Sequence, residues 1–334
     1  MEKHLFGTLP TGEEIYYCIL SGNNTKVHIM TRGAAILRLI YDGVDVVGGF
    51  ETLDEYLEDT SHQGALIGRI ANRVENAQFK LGDKIYNLPK NDNGNCLHGG
   101  DGFDHKVFRF VEITENTATL EYTSPDGEEG FPSELLVRVK YTLIDDALMI
   151  EYTAIPDGDT PISLTNHSYF NLDGFGGTIE EHEALIYANE FTAVNDLLIP
   201  TGEHPSVNGT PFDFTTPRKI GERCSKDFIG YDHNFVLSPT VFKDFLGKKL
   251  GLATVVSSNS TEMSVYTDQP GIQFYIGNFL GNGPAFRGNK KQVFHGAFCL
   301  ETQTEPNSVN SGIGIYGKGD VYTHTTVYEF KRNS

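Results

Sequence analysis

Tryptophan is absent from this 334-residue chain, cysteine and methionine number only four each, and basic residues are scarce. The cysteines stand at positions 18, 96, 224 and 299. They form no CxxC pair and no zinc-like spacing, so reduced thiols are expected rather than a disulfide framework or a metal cluster. Lys and Arg total 26 against 45 Asp and Glu, a net charge of -19. That field repels phosphate backbones and anionic lipid, which argues against nucleic-acid and membrane-surface partners. The first twenty residues, MEKHLFGTLPTGEEIYYCIL, lack an apolar leader core and a small-residue cleavage site, and no run of about twenty apolar residues follows anywhere. A cytoplasmic chain is the expectation. No GxGxxG or GxxxxGK[ST] motif precedes a helical pattern, so no phosphate cradle is read. The acidic groups around Asp54 to Asp59 and at Glu128-Glu129 read as solvated surface.

What is present is strand chemistry. Short runs of β-branched and aromatic residues alternate with Gly, Asn, Asp and Pro along the whole length, the pattern of many strands joined by turns. FKLGDKIYNL (79–88) turns at Gly82-Asp83, VEITENTATLEYT (111–123) at Glu115-Asn116, and LVRVKYTLIDDALMIEYTAI (136–155) at Asp145-Asp146, each predicting a hairpin. TLDEYLED is the one persuasive helix: Thr52 and Glu55 make a capping box, and Leu53, Tyr56 and Leu57 share a face. No internal repeat or linker divides the chain. An all-β fold is expected, one domain over residues 1–334, built as a large antiparallel β-sandwich because twist forces big sheets to curl or stack.

Five polar places stand out, with Glu301 beside them. GRIANRVENAQF (68–79) offers Arg69 and Arg73 with Asn72, donors suited to sugar hydroxyls or carboxylates, or equally to a structural salt bridge. NDNGNCLHGGDGFD (91–104) centres His98 in a loop whose glycines imply positive φ and permit close approach of a ligand; a surface histidine without a role is the alternative. In PISLTNHSYFNLDG (161–174), strand periodicity puts His167 on a face with Thr165, Tyr169 and Asn171, as a self-satisfied network or as a pocket wall. Asp232 in GYDHNFVL follows a glycine and precedes an apolar strand, where an Asp ordinarily reads as a turn residue. Gln273 and Tyr275 in QPGIQFYIGNFL share a strand face, a pairing found both in sugar sites and at core edges. In AFCLETQ, Glu301 falls on the face of Ala297, Cys299 and Gln303, opposite Phe298, Leu300 and Thr302. A carboxylate there is costly unless paired across the sheet or placed in a cleft, where partial burial raises its pKa toward the range useful for proton transfer.

In order, GRIANRV, FKLGDKIYNLPKNDNGNCLHGG, GFD, LTNHSYFNLDG, YDHNFVL, QFYIGNFL and FCLETQTEPNSVN resemble the aldose 1-epimerase (galactose mutarotase) family, from about residue 60 to about 310. The resemblance implies a single β-sandwich with a sugar site on a concave sheet face. It implies Glu301 as general base and His167 as general acid. Arg73, Asn72, His98, Asp232 and Gln273 are implied to hold the substrate, Arg73 being preferred to Arg69 by its place in the motif. It further implies free galactose or glucose as substrate, no metal or organic cofactor, and a monomer or homodimer. The rival readings are a hexose-6-phosphate 1-epimerase, a non-catalytic carbohydrate-binding protein, and a glycosidase or lyase using Glu301 with Asp232 as its two carboxyls.

Overall fold

A strand that is apolar at every second position has one face to bury, and such faces come to rest on one another. In the computed structural model, which describes residues 2–333, three antiparallel sheets do so. A five-stranded sheet runs from His4–Thr8 to Val44–Asp45, a ten-stranded sheet spans most of the middle and the C-terminus, and a four-stranded sheet joins Ala188–Phe191, Asp232–Leu237, Gly271–Tyr275 and Cys299–Gln303. Val27 and Leu39 from the first, Val139, Ile150 and Val265 from the second, and Ile272, Phe274 and Leu300 from the third meet in one buried cluster. Each such side chain contributes roughly 1.5–3 kcal/mol through removal from water. The expected β-sandwich is therefore present.

The local expectations hold where turns dictate them. Gln78–Leu81 pairs with Lys84–Asn87, Arg109–Ile113 with Thr117–Ser124, and Leu135–Ile144 with Ala147–Pro156. The Leu53–Glu58 helix carries its capping box: Glu55 N–H donates to Thr52 Oγ1, and the Glu55 carboxylate accepts from Thr52 N–H. The long-range pairing is a different matter. Ala147–Pro156 lies beside Tyr322–Arg332, which in turn pairs with Thr261–Thr267.

Two irregular features position the site. Very short ladders join Leu66–Ile67 to Thr165–Asn166 and Arg73–Val74 to Cys96–Leu97, pinning loops that cover the outer face of the four-stranded sheet. Within the second loop His98 has φ 54° and Gly99 φ 80°. A Cβ on Gly99 would stand 2.6 Å from the Gly68 carbonyl oxygen, and one on Gly102 would stand 2.4 Å from that of His98. Backbone here lies on backbone, and only glycine fits. Gly99→Ala is expected to destabilise the fold by more than about 1 kcal/mol, read by urea unfolding; an unchanged midpoint would show that the loop yields instead.

Candidate active site

The four-stranded sheet sorts its residues by parity. Phe235, Ile272, Phe274 and Leu300 enter the core, leaving Asp232, Asn234, Gln273, Tyr275, Cys299, Glu301 and Gln303 on the other face. Glu301 pairs in register with Gln273, and Tyr275 with both Asp232 and Cys299. This polar face is covered rather than solvated, and Glu301 is only 2 % exposed. Above it opens a cavity of about 270 Å³ lined by Glu301, His167, His98, Asn72, Arg73 and Asp232, with Tyr169, Tyr275 and Phe279. That size lies just below the roughly 300–1,000 Å³ typical of small-molecule sites, suited to one sugar ring rather than a polymer.

His167 reaches this cavity by a route that strand periodicity misreads. The strand expected across 161–174 is broken into the two-residue pieces Thr160–Pro161 and Thr165–Asn166, so His167 lies past a strand end and does not share a pleated face with Thr165 and Asn171. Its backbone N–H instead donates to Ala65 O, and its carbonyl accepts from Gly64 N–H. These bonds to the 62–65 turn swing the ring toward Glu301. Nδ1 lies 3.6 Å from Cys299 Sγ, and Nε2 lies 3.7 Å from Glu301 Oε1. That last separation is too long for a hydrogen bond. Glu301 Oε2 has no hydrogen-bond partner among the described residues, which leaves both atoms open to an incoming hydroxyl.

The polar clamp is preorganised around them. Arg73 donates from Nε to Asp92 Oδ2 at 2.7 Å, and its Nη1 lies 3.7 Å from Asp232 Oδ2. Asn72 Oδ1 accepts the Arg73 N–H, which leaves the amide NH₂ of Asn72 as its free donor group. Gln273 is not on the cavity wall; it donates from Nε2 to Asp232 Oδ1 at 2.7 Å and so orients that carboxylate. Arg69 is elsewhere. It is buried and donates to Ser124, Thr160 and the carbonyls of Ser124, Pro125 and Pro132, satisfied by neutral oxygens instead of the salt bridge considered from sequence. Asp59, read as solvated, also lines the cavity.

Burial sets the charges. The Glu301 carboxyl is pushed well above its ordinary range by loss of water and then by the nearby Asp232 charge, with Arg73 opposing. His167 is pushed down to about 3, first by burial and then by repulsion from His62. His98 is likewise held well below its ordinary value by burial. Burial therefore favours the neutral form of both Glu301 and His167. His98, His167 and Glu301 bring ligand-type atoms within 4.8 Å of one another, yet the set does not fit a metal ion. His98 Nδ1 accepts the Asn72 N–H at 3.2 Å, so a neutral ring carries its proton on Nε2 and presents a donor to the cavity.

Sequence reasoning missed His62, which lines the cavity with its ring centroid 4.8 Å from that of His98 and 5.7 Å from that of His167. It sits in a turn with φ 59°, just outside the GRIANR segment, and no periodicity marks it. Phe279, exposed at the rim and 6.2 Å from the Tyr275 ring, supplies an aromatic surface in a chain that has no tryptophan.

A covered polar sheet face, with one carboxyl and one imidazole at the closed end of a sugar-sized cavity, defines a candidate acid/base site for carbohydrate chemistry. The aldose 1-epimerase family model matches residues 17–329, and the chain belongs to that family. It is 40 % identical over 342 aligned residues to galactose mutarotase from Sus scrofa, covering 98 % of each chain. It is 32 % identical to aldose 1-epimerase from Escherichia coli K12, covering 96 % of each. Among solved structures, a GalM/aldose epimerase homologue from C. elegans superposes with a TM-score of 0.87 at 25 % identity, over 95 % of this chain and 99 % of the other.

The raised carboxyl has a consequence for stability. A group whose folded pKa exceeds its unfolded value contributes fully below the unfolded pKa, and that contribution is lost as pH rises through the folded one. The unfolding free energy of the wild type should thus decline across the alkaline side of the carboxylate range, and the decline should be smaller in Glu301→Gln. Parallel curves for the two proteins, from denaturant titrations at several pH values, would contradict the buried protonated carboxyl.

Proposed function

We propose that this protein is an aldose 1-epimerase that interconverts the α and β anomers of free aldohexoses such as D-galactose and D-glucose, with Glu301 and His167 as its proton-transfer pair. The observation carrying this reading is the 3.7 Å approach of His167 Nε2 to Glu301 Oε1 at the closed end of the cavity. O1 and the ring oxygen are both bonded to C1, so a base for one and an acid for the other must stand side by side. Glu301 as carboxylate takes the proton from the C1 hydroxyl, and protonated His167 delivers one to the ring oxygen. The C1 to ring-oxygen bond breaks, the aldehyde forms, and rotation about C1–C2 presents its other face. His167 then removes the proton from the ring hydroxyl while Glu301 returns one to the carbonyl oxygen. Each positioned group is worth about 10² to 10⁴ in rate.

The pair needs one proton in total. Carboxylate with imidazolium opens the ring; carboxylic acid with neutral imidazole closes it. The second arrangement is the one burial favours in the empty site, so the resting enzyme is matched to the open-chain sugar, and a bound ring sugar must draw the proton across. Because activity requires one proton on the pair, kcat/KM should follow a bell. Its acid limb belongs to His167, at about 3, and its alkaline limb to Glu301, well above the ordinary carboxylate range. A profile with its acid limb near the value of a free histidine would contradict this assignment.

Arg73, Asn72, His98 and Asp232 hold the sugar hydroxyls, and Gln273 supports them through Asp232. A hexose-6-phosphate substrate fits poorly. Arg73 is the one Arg or Lys lining the cavity among the described residues, already set between Asp92 and Asp232, while Glu58, Asp59, Asp232 and Glu301 line it with acid. We further place the chain in a reducing compartment such as the cytoplasm, as a single domain working as a monomer or homodimer; its four free cysteines support the compartment. Among the described residues no helix is long and apolar enough to cross a membrane. Polarimetry on freshly dissolved glucose and glucose 6-phosphate tests the substrate. Faster equilibration of glucose is expected, with little effect on the phosphate and no cleavage of a disaccharide. Preference for the phosphate, or release of monosaccharide, would overturn the reading.

A further inference from the structure

The reaction needs two imidazoles at most, yet the cavity wall holds three. His62, His98 and His167 form a triangle of rings, with centroids 4.8, 5.2 and 5.7 Å apart. His62 alone has a carboxylate partner of its own. Its Nδ1–H donates to Asp104 Oδ2 at 2.7 Å, and Asp104 is 3 % exposed. The same oxygen lies 3.2 Å from Nε2 of the half-exposed His105, while Asp104 Oδ1 has no hydrogen-bond partner among the described residues. His167 has no carboxylate hydrogen bond, and its Nδ1 meets only the Cys299 sulfur. What orients His167 on its open side is the packing of His62, His98, Tyr169 and Tyr275 rings around it.

We propose that His62, held by Asp104, is a positioning residue of the epimerase site, setting the orientation and the electrostatic field of the two imidazoles that face the anomeric centre. The role rests on the epimerase reading above. The Asp104–His62 unit has no net charge when His62 is protonated and one negative charge when it is neutral. Its state therefore alters how readily His167 becomes an imidazolium. The titratable and charged groups around His62 are Asp104 and His105 from the Phe103–His105 turn, Asp59 after the helix, Arg32 from the turn at 31–35, and the two histidines. Asp104 is desolvated, but its bond to His62, with His105 and Arg32 nearby, outweighs burial and holds its carboxyl below the ordinary value. The anchor is thus held toward its ionised form.

The two partners act on His167 in opposite senses. Protonated His62 disfavours its imidazolium and Asp104 favours it. His62→Phe keeps a ring in the triangle and removes the charge; Asp104→Asn keeps the shape and removes the opposite charge. Losing the outer partner of a metal-ligating histidine typically costs about 10- to 100-fold, which sets the scale for a ring held by a carboxylate. A fall of that order in kcat is expected in both variants, with KM for galactose changing only a few-fold. The acid limb of kcat/KM, together with the ¹⁵N titration of the His167 ring, should move to higher pH in His62→Phe and to lower pH in Asp104→Asn. Limbs that stay in place, or that move in the same direction, would overturn the proposal by reducing the dyad to packing. If Asp104→Asn fails to fold, His62→Phe and His62→Asn carry the test: both must move the limb upward. A wild type that does not epimerise would overturn the functional reading itself, which is distinguishable from an active enzyme whose limbs do not move.

Discussion

A carboxyl group buried without a partner is the constraint around which this molecule is arranged. Glu301 points from the edge strand of a four-stranded sheet into the cavity, almost wholly buried, and its Oε2 has no hydrogen-bond partner among the described residues. Burial of this kind favours the neutral acid. It stands beside an imidazole, Asp232 and Arg73, and in the proposed reaction the sugar hydroxyls supply its hydrogen-bond partners. The rest of the architecture serves that placement. The ten-stranded sheet and its core give the four-stranded sheet a rigid back, and the glycine-dependent loop around His98 with the 62–65 turn forms a roof over it.

That arrangement has a cost that a purely structural sheet would avoid. Two imidazoles and a carboxyl are desolvated in one place, and burial favours the neutral form of both His98 and His167. Neutral rings with fixed tautomers are useful here. His98 offers a donor because Asn72 N–H occupies its other nitrogen, while Asp104 fixes the outward geometry of His62. A backbone N–H for His98 and a carboxylate for His62 thus choose which nitrogen each of these two rings turns toward the cavity. This is preorganisation by hydrogen bonds made outside the cavity.

The hairpins at Gly82-Asp83, Glu115-Asn116 and Asp145-Asp146 and the helix cap at Thr52 were legible in the sequence because each depends on residues adjacent in the chain. The parity of Cys299–Gln303, which puts Glu301 opposite Leu300, was legible for the same reason. The Tyr322–Arg332 strand lying between Ala147–Pro156 and Thr261–Thr267 was not, since such pairing is decided by packing across the whole fold. His167 shows the limit most clearly. Its residue type and motif were informative, but its direction is set by backbone bonds to Gly64 and Ala65, a hundred residues away, and not by a strand. Gln273 and Arg69 were ambiguous until their partners were seen, and His62 had no local signature at all.

The central claim is that Glu301 and His167 pass one proton to and from the two oxygens on C1. Exchange spectroscopy on fully equilibrated galactose tests it without any change in bulk composition. With wild-type protein, cross-peaks between the α and β anomeric protons should grow with enzyme concentration, and with Glu301→Gln they should fall back by about 10² to 10⁴ while the variant remains folded. Equal exchange in the two proteins would contradict the account.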